Sequence, residues 1–384
     1  MSGSSQEQLK SPVRVTFAAV ALVMTVFALH AARGADEAAA QGAAQPAIAA
    51  DTGALPALRG LYLNRFAVQS GARMRRLIAM ADSTEINAFV LDMKDEFGLN
   101  YRSSNPKVQR NAGAHGAVRN VGAIVDTLKA HGITPIARVV AFKDPIAASQ
   151  NPEWTIRTED SSAWRDKESQ VWVNAFHADV WEHNLSVAEE LAKMGFVEIQ
   201  FDYIRFPEPY ASLPKQVFPG AKGTKADALT TFLVRARERL APLGVRSTAD
   251  VFGLATTARG TLEVGQNWER LSPVVDVILP MVYPSHYPRG AFGVPLPNAD
   301  PYAIVKTAVD TARSRDVAMG LVRGDHVRAW LQAFTLGRPP YGVEEIKAQK
   351  RAVYDAGYGG WILWNPASNY DLFAAALEPK AQRP

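Results

Sequence analysis

The ten residues Glu198-Ile-Gln-Phe-Asp-Tyr-Ile-Arg-Phe-Pro207 carry the first chemistry that the chain offers. Period-two alternation sets Gln200 and Asp202 on one face of a strand and Phe201 and Tyr203 on the other. A charged carboxylate inside so apolar a strand is costly, so Asp202 needs either a partner, with Arg205 and Arg138 as the candidates, or a chemical task. A second carboxylate, Asp250, closes the run Ser247-Thr-Ala-Asp-Val-Phe-Gly253 in the next apolar segment. Carboxyls at the ends of neighbouring strands can flank a scissile glycosidic bond. One attacks or activates water, and the other protonates the departing oxygen.

Other constellations are weaker or missing. In Leu91-Asp-Met-Lys-Asp-Glu-Phe-Gly98, Asp92 and Lys94 share a face, which allows substrate binding or a structural pairing of Asp92 with Lys94 or Arg138. Asp92, Asp95 and Glu96 lack the regular spacing of a calcium loop. The seven histidines form no HxH or HExxH pair, no G-x-S-x-G elbow occurs, and the absence of cysteine removes thiolate metal sites, disulfides and a cysteine nucleophile. The expectation is therefore a site without metal or cofactor. Tyr203, Tyr283, His286, Gln332, Trp364 and Asn365 stand at or near strand ends. Such mixtures bind sugars, the C–H faces lying on rings and the hydroxyls meeting amides, carboxylates and Arg. Trp181, Trp268 and Trp361 read as packing residues.

These residues must be positioned by a repeating framework. Apolar or β-branched runs at 59–64, 88–94, 134–142, 198–206, 246–252, 275–283, 327–334 and 360–365 alternate with amphipathic stretches, several of which stop at Gly132, Gly195, Gly244 and Gly357. Eight such rounds predict an α/β protein with a single (β/α)8 TIM barrel and long βα loops. A doubly wound sheet would need a Gly-rich phosphate loop after its first strand, and Arg65-Phe-Ala-Val-Gln-Ser-Gly-Ala72 is not one. The longest connections, 95–120, 143–176, 207–225 and 284–301, leave C-terminal strand ends, where barrel enzymes build their sites. In 143–176, Trp154, Trp164 and Trp172 suggest a roof over the groove, with Trp164 contributing to glycan binding.

The 384 residues, 47% hydrophobic and 21% charged, suffice for a large core, and a formal net charge of +4 without basic runs argues against a nucleic-acid partner. Lys10 and Arg14 precede the apolar stretch Val15 to Ala32, which reads as a signal peptide or membrane anchor over residues 1–32. The Ala/Gly/Gln-rich residues 33–58 read as a flexible linker, and 59–384 as the barrel. Export follows as the expectation: a periplasmic protein, one anchored in the inner membrane facing the periplasm, or a secreted one.

The strings Arg59-Gly-Leu-Tyr62, Val90-Leu-Asp-Met-Lys-Asp95, Ala137-Arg-Val-Val-Ala-Phe-Lys-Asp-Pro145, Trp164-Arg-Asp166, Phe201-Asp-Tyr-Ile-Arg-Phe-Pro207, Ala249-Asp-Val-Phe-Gly253, Pro280-Met-Val-Tyr-Pro-Ser-His286 and Trp361-Ile-Leu-Trp-Asn-Pro366 resemble a bacterial glycoside-hydrolase-like domain family among the (β/α)8 glycosidases. The resemblance implies a glycosidase or a related transglycosylase acting on a polysaccharide or oligosaccharide. It also implies that Asp202 is the nucleophile, because in related barrels the nucleophile ends the fourth strand. Many relatives carry the acid as Glu after the fifth strand, where this chain has Asp250. The rival reading is a catalytically silent carbohydrate-binding or scaffolding barrel of the envelope.

Overall fold

The computed structural model describes residues 55–380. The expected export segment, nearly all of the linker and residues 381–384 lie outside the described residues. Ala57 and Leu58, counted above with the linker, already engage the barrel: Asn87 donates to the Ala57 carbonyl at 3.0 Å and the Trp361 amide donates to that of Leu58 at 2.9 Å.

Eight parallel strands form the barrel: Arg59–Leu63, Ala88–Asp95, Thr134–Val140, Glu198–Asp202, Arg246–Phe252, Val277–Val282, Ala329–Gln332 and Trp361–Trp364. Each pairs with the next, and the first pairs with the eighth as well as the second, which closes the sheet and leaves no edge. A two-residue strand, Gly98–Leu99, folds back antiparallel on the second.

The outer wall contains the helices Gly71–Ser83, Val121–Ala130, Ala178–Lys193, Lys225–Leu240, Pro301–Ala318 and Val343–Asp355. Their starts are capped by local side chains. Asn120 accepts from the Ala123 amide, Asp300 from that of Ala303, and Thr224 forms a reciprocal box with Asp227. At Gly195 and Gly357 the chain turns into the next strand with φ of 99° and 84°, left-handed backbone that a side chain would strain.

Strand alternation divides the interior into two cores. Leu61, Phe89, Leu91, Val139, Phe201, Val251, Leu331 and Leu363 belong to the layer packed against the helices. The other face fills the barrel and is polar over much of its height. Near the strand starts, fully buried Arg328 donates to Glu198 at 2.7 Å and Arg246 closes on the same carboxylate at 3.2 Å. Above them stand Gln200, Asp250, Asp92 and Arg138.

Six of the eight strands are shorter than their apolar runs, the fourth and the seventh by the most. The fourth ends at Asp202 rather than Phe206, because Tyr203 adopts a φ of 53° and turns the chain out of the sheet. The seventh spans four residues, Val327 keeping only an isolated bridge to Ile278.

Candidate active site

The pairing register assembles the site. Asp92 lies opposite Arg138, Arg138 opposite Gln200, and Val140 opposite Asp202. The fourth and fifth strands pair as far as Phe201 with Ala249, so one further step sets Asp202 beside Asp250.

Arg138 is the centre of this group. Its Nε and Nη2 donate to Asp202 Oδ2 at 2.9 and 2.5 Å, and its Nη1 donates to Asp92. Burial works against the guanidinium charge, but Asp92 and Asp202 outweigh it and the Arg138 pKa moves up. Asp202 Oδ1 accepts the Tyr203 amide N–H at 2.5 Å, a bond that follows from the left-handed turn at Tyr203. A non-glycine residue in that conformation beside a carboxylate is strain of the kind found at functional sites. Of the two predicted cationic partners, Arg138 holds Asp202. Arg205 instead pairs with Glu208 at 3.0 Å and lies over the rings of Trp172, Tyr203 and Phe252, at 5.0, 4.9 and 4.7 Å.

Asp250 has a contrasting environment. It is 1% exposed, and its Oδ1 accepts from Gln200 Nε2 and Trp330 Nε1, both at 2.7 Å. Its Oδ2 has no hydrogen-bond partner. Burial, and then the charge of Asp202, push the Asp250 pKa well above the carboxylate range. The unpartnered oxygen is thus the natural place for a proton. Asp92 is raised to about 7, mainly by burial, with Arg138 opposing and Asp95 adding to the rise. The Tyr62 hydroxyl donates to it.

Above the acids stands an aromatic wall. Tyr283 and Trp364 stack at 5.1 Å, and Phe334 meets Trp364 edge-on at 5.0 Å. His286 packs on Tyr283 and Phe334, and burial lowers its pKa to about 4, so it is neutral at ordinary pH. Trp364 and His286 remain partly open to solvent, as do Tyr203 and Arg205.

Several expected ligand contacts are directed into the protein. Trp164 is fully buried and its indole N–H bonds the Pro214 carbonyl at 2.8 Å, so this tryptophan supports the loop rather than offering a sugar platform. Trp172 is likewise buried, with its N–H on Asp166 at 2.8 Å. Lys94 does not share Asp92. A register shift between them leaves Lys94 bonded to Asp144 and to the Val140 carbonyl, both at 2.6 Å, with no exposed surface. Gln332 accepts from the Ser285 amide and donates to the Phe334 carbonyl, while Asn365 donates to the Ala333 carbonyl. Both amides tie rim loops together.

Tyr62, Trp330 and Phe334 join the site without having been singled out as binding groups. Tyr62 stands in the Arg59-Gly-Leu-Tyr62 string, and Trp330 shares the inward parity of Gln332, so alternation could have found both. Among the described residues no cluster of three or more His, Asp or Glu is arranged to hold a metal ion. Asp95, one candidate ligand, is gripped by Arg65 at 2.6 and 2.7 Å.

Several solved structures are similar to the chain. A hypothetical protein from Ruminiclostridium thermocellum is 35% identical over 50% of this chain and 97% of its own, with a TM-score of 0.45. The PgaB (BpsB) glycoside hydrolase domain of Bordetella bronchiseptica is 14% identical, covers 82% of this chain and 95% of its own, and has a TM-score of 0.56. The spore cortex-lytic enzyme SleL of Bacillus megaterium is 12% identical over 83% of this chain and 72% of its own, with a TM-score of 0.50. The last two, at such identities, show the fold alone. No curated protein matches the sequence. The family described as "Putative glycosyl hydrolase domain" matches residues 60–370, from the first barrel strand past the eighth, and the chain belongs to that glycosyl hydrolase family.

Proposed function

We propose that the protein cleaves O-glycosidic bonds in an envelope or extracellular polysaccharide, with Asp202 as the attacking carboxylate and Asp250 as the acid. The observation that carries this reading is the contrast between the two neighbours. Asp202 is ion-paired with Arg138, whereas Asp250 is buried, raised in pKa and left with one free oxygen. An ion-paired attacking group beside a buried carboxyl whose pKa is raised is what cleavage by displacement requires. The apolar segment Val15 to Ala32 supports an exported site of action, in the periplasm or on its membrane face.

One observation favours a second reading, a silent glycan-binding barrel. Asp250 is bonded to Gln200 and Trp330 within the barrel and has almost no contact with solvent. Incubation with a broad glycan panel, followed by chromatography of released sugars, separates the two. Release that disappears in Asp202→Asn supports the enzyme. Binding without release from any member supports the silent barrel.

A further inference from the structure

Asp92 and Asp202 flank Arg138 from the second and fourth strands, and the backbone of the second is built to put Asp92 there. In its pairing with the third strand, Asp92 lies opposite Arg138 but Lys94 lies opposite Val139, so Met93 is an extra residue without a partner. Such bulges re-aim side chains and gather next to active sites. Asn100, fully buried, holds this one. Its side-chain amide donates to the Asp92 carbonyl and its backbone amide to that of Met93, at 2.9 and 2.8 Å. The shift carries Lys94 to the helix side of the sheet, where it meets Asp144, and leaves Arg138 between the two acids.

Neutralising Arg138 does not call for Asp92. Asp202 alone matches its charge, and a second carboxylate taken out of water adds a cost. What Asp92 adds is geometry. With Nε and Nη2 on Asp202 and Nη1 on Asp92, the guanidinium is held at three nitrogens in two directions, and its plane cannot swing without breaking a bond. Asp92 is held in turn. Its second oxygen takes the hydroxyl of Tyr62, which pairs with Val90 and so shares the inward parity of Asp92. The Tyr62 amide donates to the Tyr370 hydroxyl at 3.1 Å. Its ring lies 5.7 Å from the Arg138 guanidinium and meets Trp330 edge-on at 6.1 Å, and Trp330 is the residue that donates to Asp250. One tyrosine on the first strand thus supports groups that orient both acids.

We infer that Tyr62 and Asp92 are positioning residues of the cleavage step, aiming the Asp202 carboxylate through Arg138. The inference rests on the glycan-cleaving reading above. Asp92 must be charged to hold Arg138 in this way. Burial and Asp95 oppose that charge, Arg138 and the Tyr62 hydroxyl favour it, and the balance falls at about 7. A rate that needs charged Asp92 falls as pH drops through that value. The test uses the full chain and the panel glycan from which the wild type releases most sugar. Tyr62→Phe, which keeps the ring, should lower kcat about tenfold and Asp92→Asn roughly 10²-fold, both with little change in KM. The acid limb of kcat/KM at about pH 7 should move up in Tyr62→Phe and vanish in Asp92→Asn. Crystal structures of the wild type and both variants read the aim of Asp202 without turnover, and the variants should show its carboxylate turned from the wild-type direction. An unchanged kcat, an acid limb that stays in place, or an Asp202 carboxylate that keeps both Arg138 bonds and its direction would overturn the inference. A turned carboxylate in the variants of a protein that releases no sugar supports the positioning role while counting against cleavage.

Discussion

Arg138 places two hydrogen bonds on a single oxygen of Asp202, Oδ2, while the other oxygen of that carboxylate takes the Tyr203 amide N–H. The carboxylate is held on both oxygens, and its direction depends on a planar fork of donors. Lysine carries the same charge but cannot supply that fork. Arg138→Lys is therefore expected to lower kcat by roughly 10²-fold with a much smaller change in KM, as expected when the reacting groups are misplaced. Asp202→Asn should abolish turnover and leave glycan binding and the melting temperature nearly intact. Steady-state kinetics with calorimetry check both, and an active Asp202→Asn enzyme would remove Asp202 from the chemistry.

Asp250 is assigned the acid because of its free oxygen and raised pKa. Asp250→Ala should then slow substrates with poor leaving groups by roughly 10²–10⁴-fold. Activated aryl glycosides, which need little protonation, should be spared. A uniform loss across leaving groups would show Asp250 to be structural. Asp202 and Asp250 each stand one residue beyond the last pair of their ladder, Phe201 with Ala249, and that placement bears on stereochemistry. Retaining enzymes hold their carboxyls about 5–5.5 Å apart, whereas inverting ones leave about 6.5–9.5 Å for a water. Adjacent positions on neighbouring strands favour the shorter separation. The first sugar released, followed by proton NMR before mutarotation, should keep its anomeric configuration.

The same buried acids predict how stability varies with pH. Asp92 and Asp250 both have folded-state pKa values above that of an ordinary carboxyl, so the folded protein binds more protons than the unfolded chain. Stability from these groups is therefore full below an unfolded pKa of about 3.9 and falls as pH rises, through about 7 for Asp92. From pH 5 to pH 8 these two acids make the melting temperature decline, against the rise that His183 and His286, both lowered to about 4, contribute up to an unfolded pKa of about 6.5. Asp92→Asn and Asp250→Asn should each flatten the decline by a few degrees, at about 2–4 °C per kcal/mol. An unchanged slope in both variants would contradict the raised values.

The barrel was legible because its signals are local and repeated. Apolar runs recur eight times, alternating with amphipathic stretches several of which stop at glycine, and the observed strands fall on those runs. Asp202, Asp250 and Asp92 were legible because a carboxylate in an apolar strand demands an explanation. Other contacts required tertiary knowledge. Lys94 and Asp92 share strand parity, but the register shift between them cannot be read from alternation. Arg205 lies three residues from Asp202 in sequence, yet the turn at Tyr203 carries it to Glu208.

Trp164 shows the same limit and gives the last prediction. A tryptophan on a long loop above a barrel reads as a sugar platform, because nothing local distinguishes an exposed ring from one folded under its own loop. The loop instead closes on itself. Thr155 bridges Val173, Arg157 bridges Ala163, Arg165 bridges Val171, and the Trp164 amide donates to the Ile156 carbonyl. The indole fills the space beneath and satisfies the Pro214 carbonyl from the next rim segment. Trp164→Ala should therefore leave a cavity and an unpaired carbonyl, costing about 3–5 kcal/mol of stability. Because the ring presents no surface to a ligand, affinity for an oligosaccharide measured well below the melting transition should fall far less than stability does. Chemical denaturation and calorimetry on this variant provide the comparison. A large loss of affinity with an unchanged denaturation midpoint would show that the loop opens and that Trp164 reaches the glycan after all.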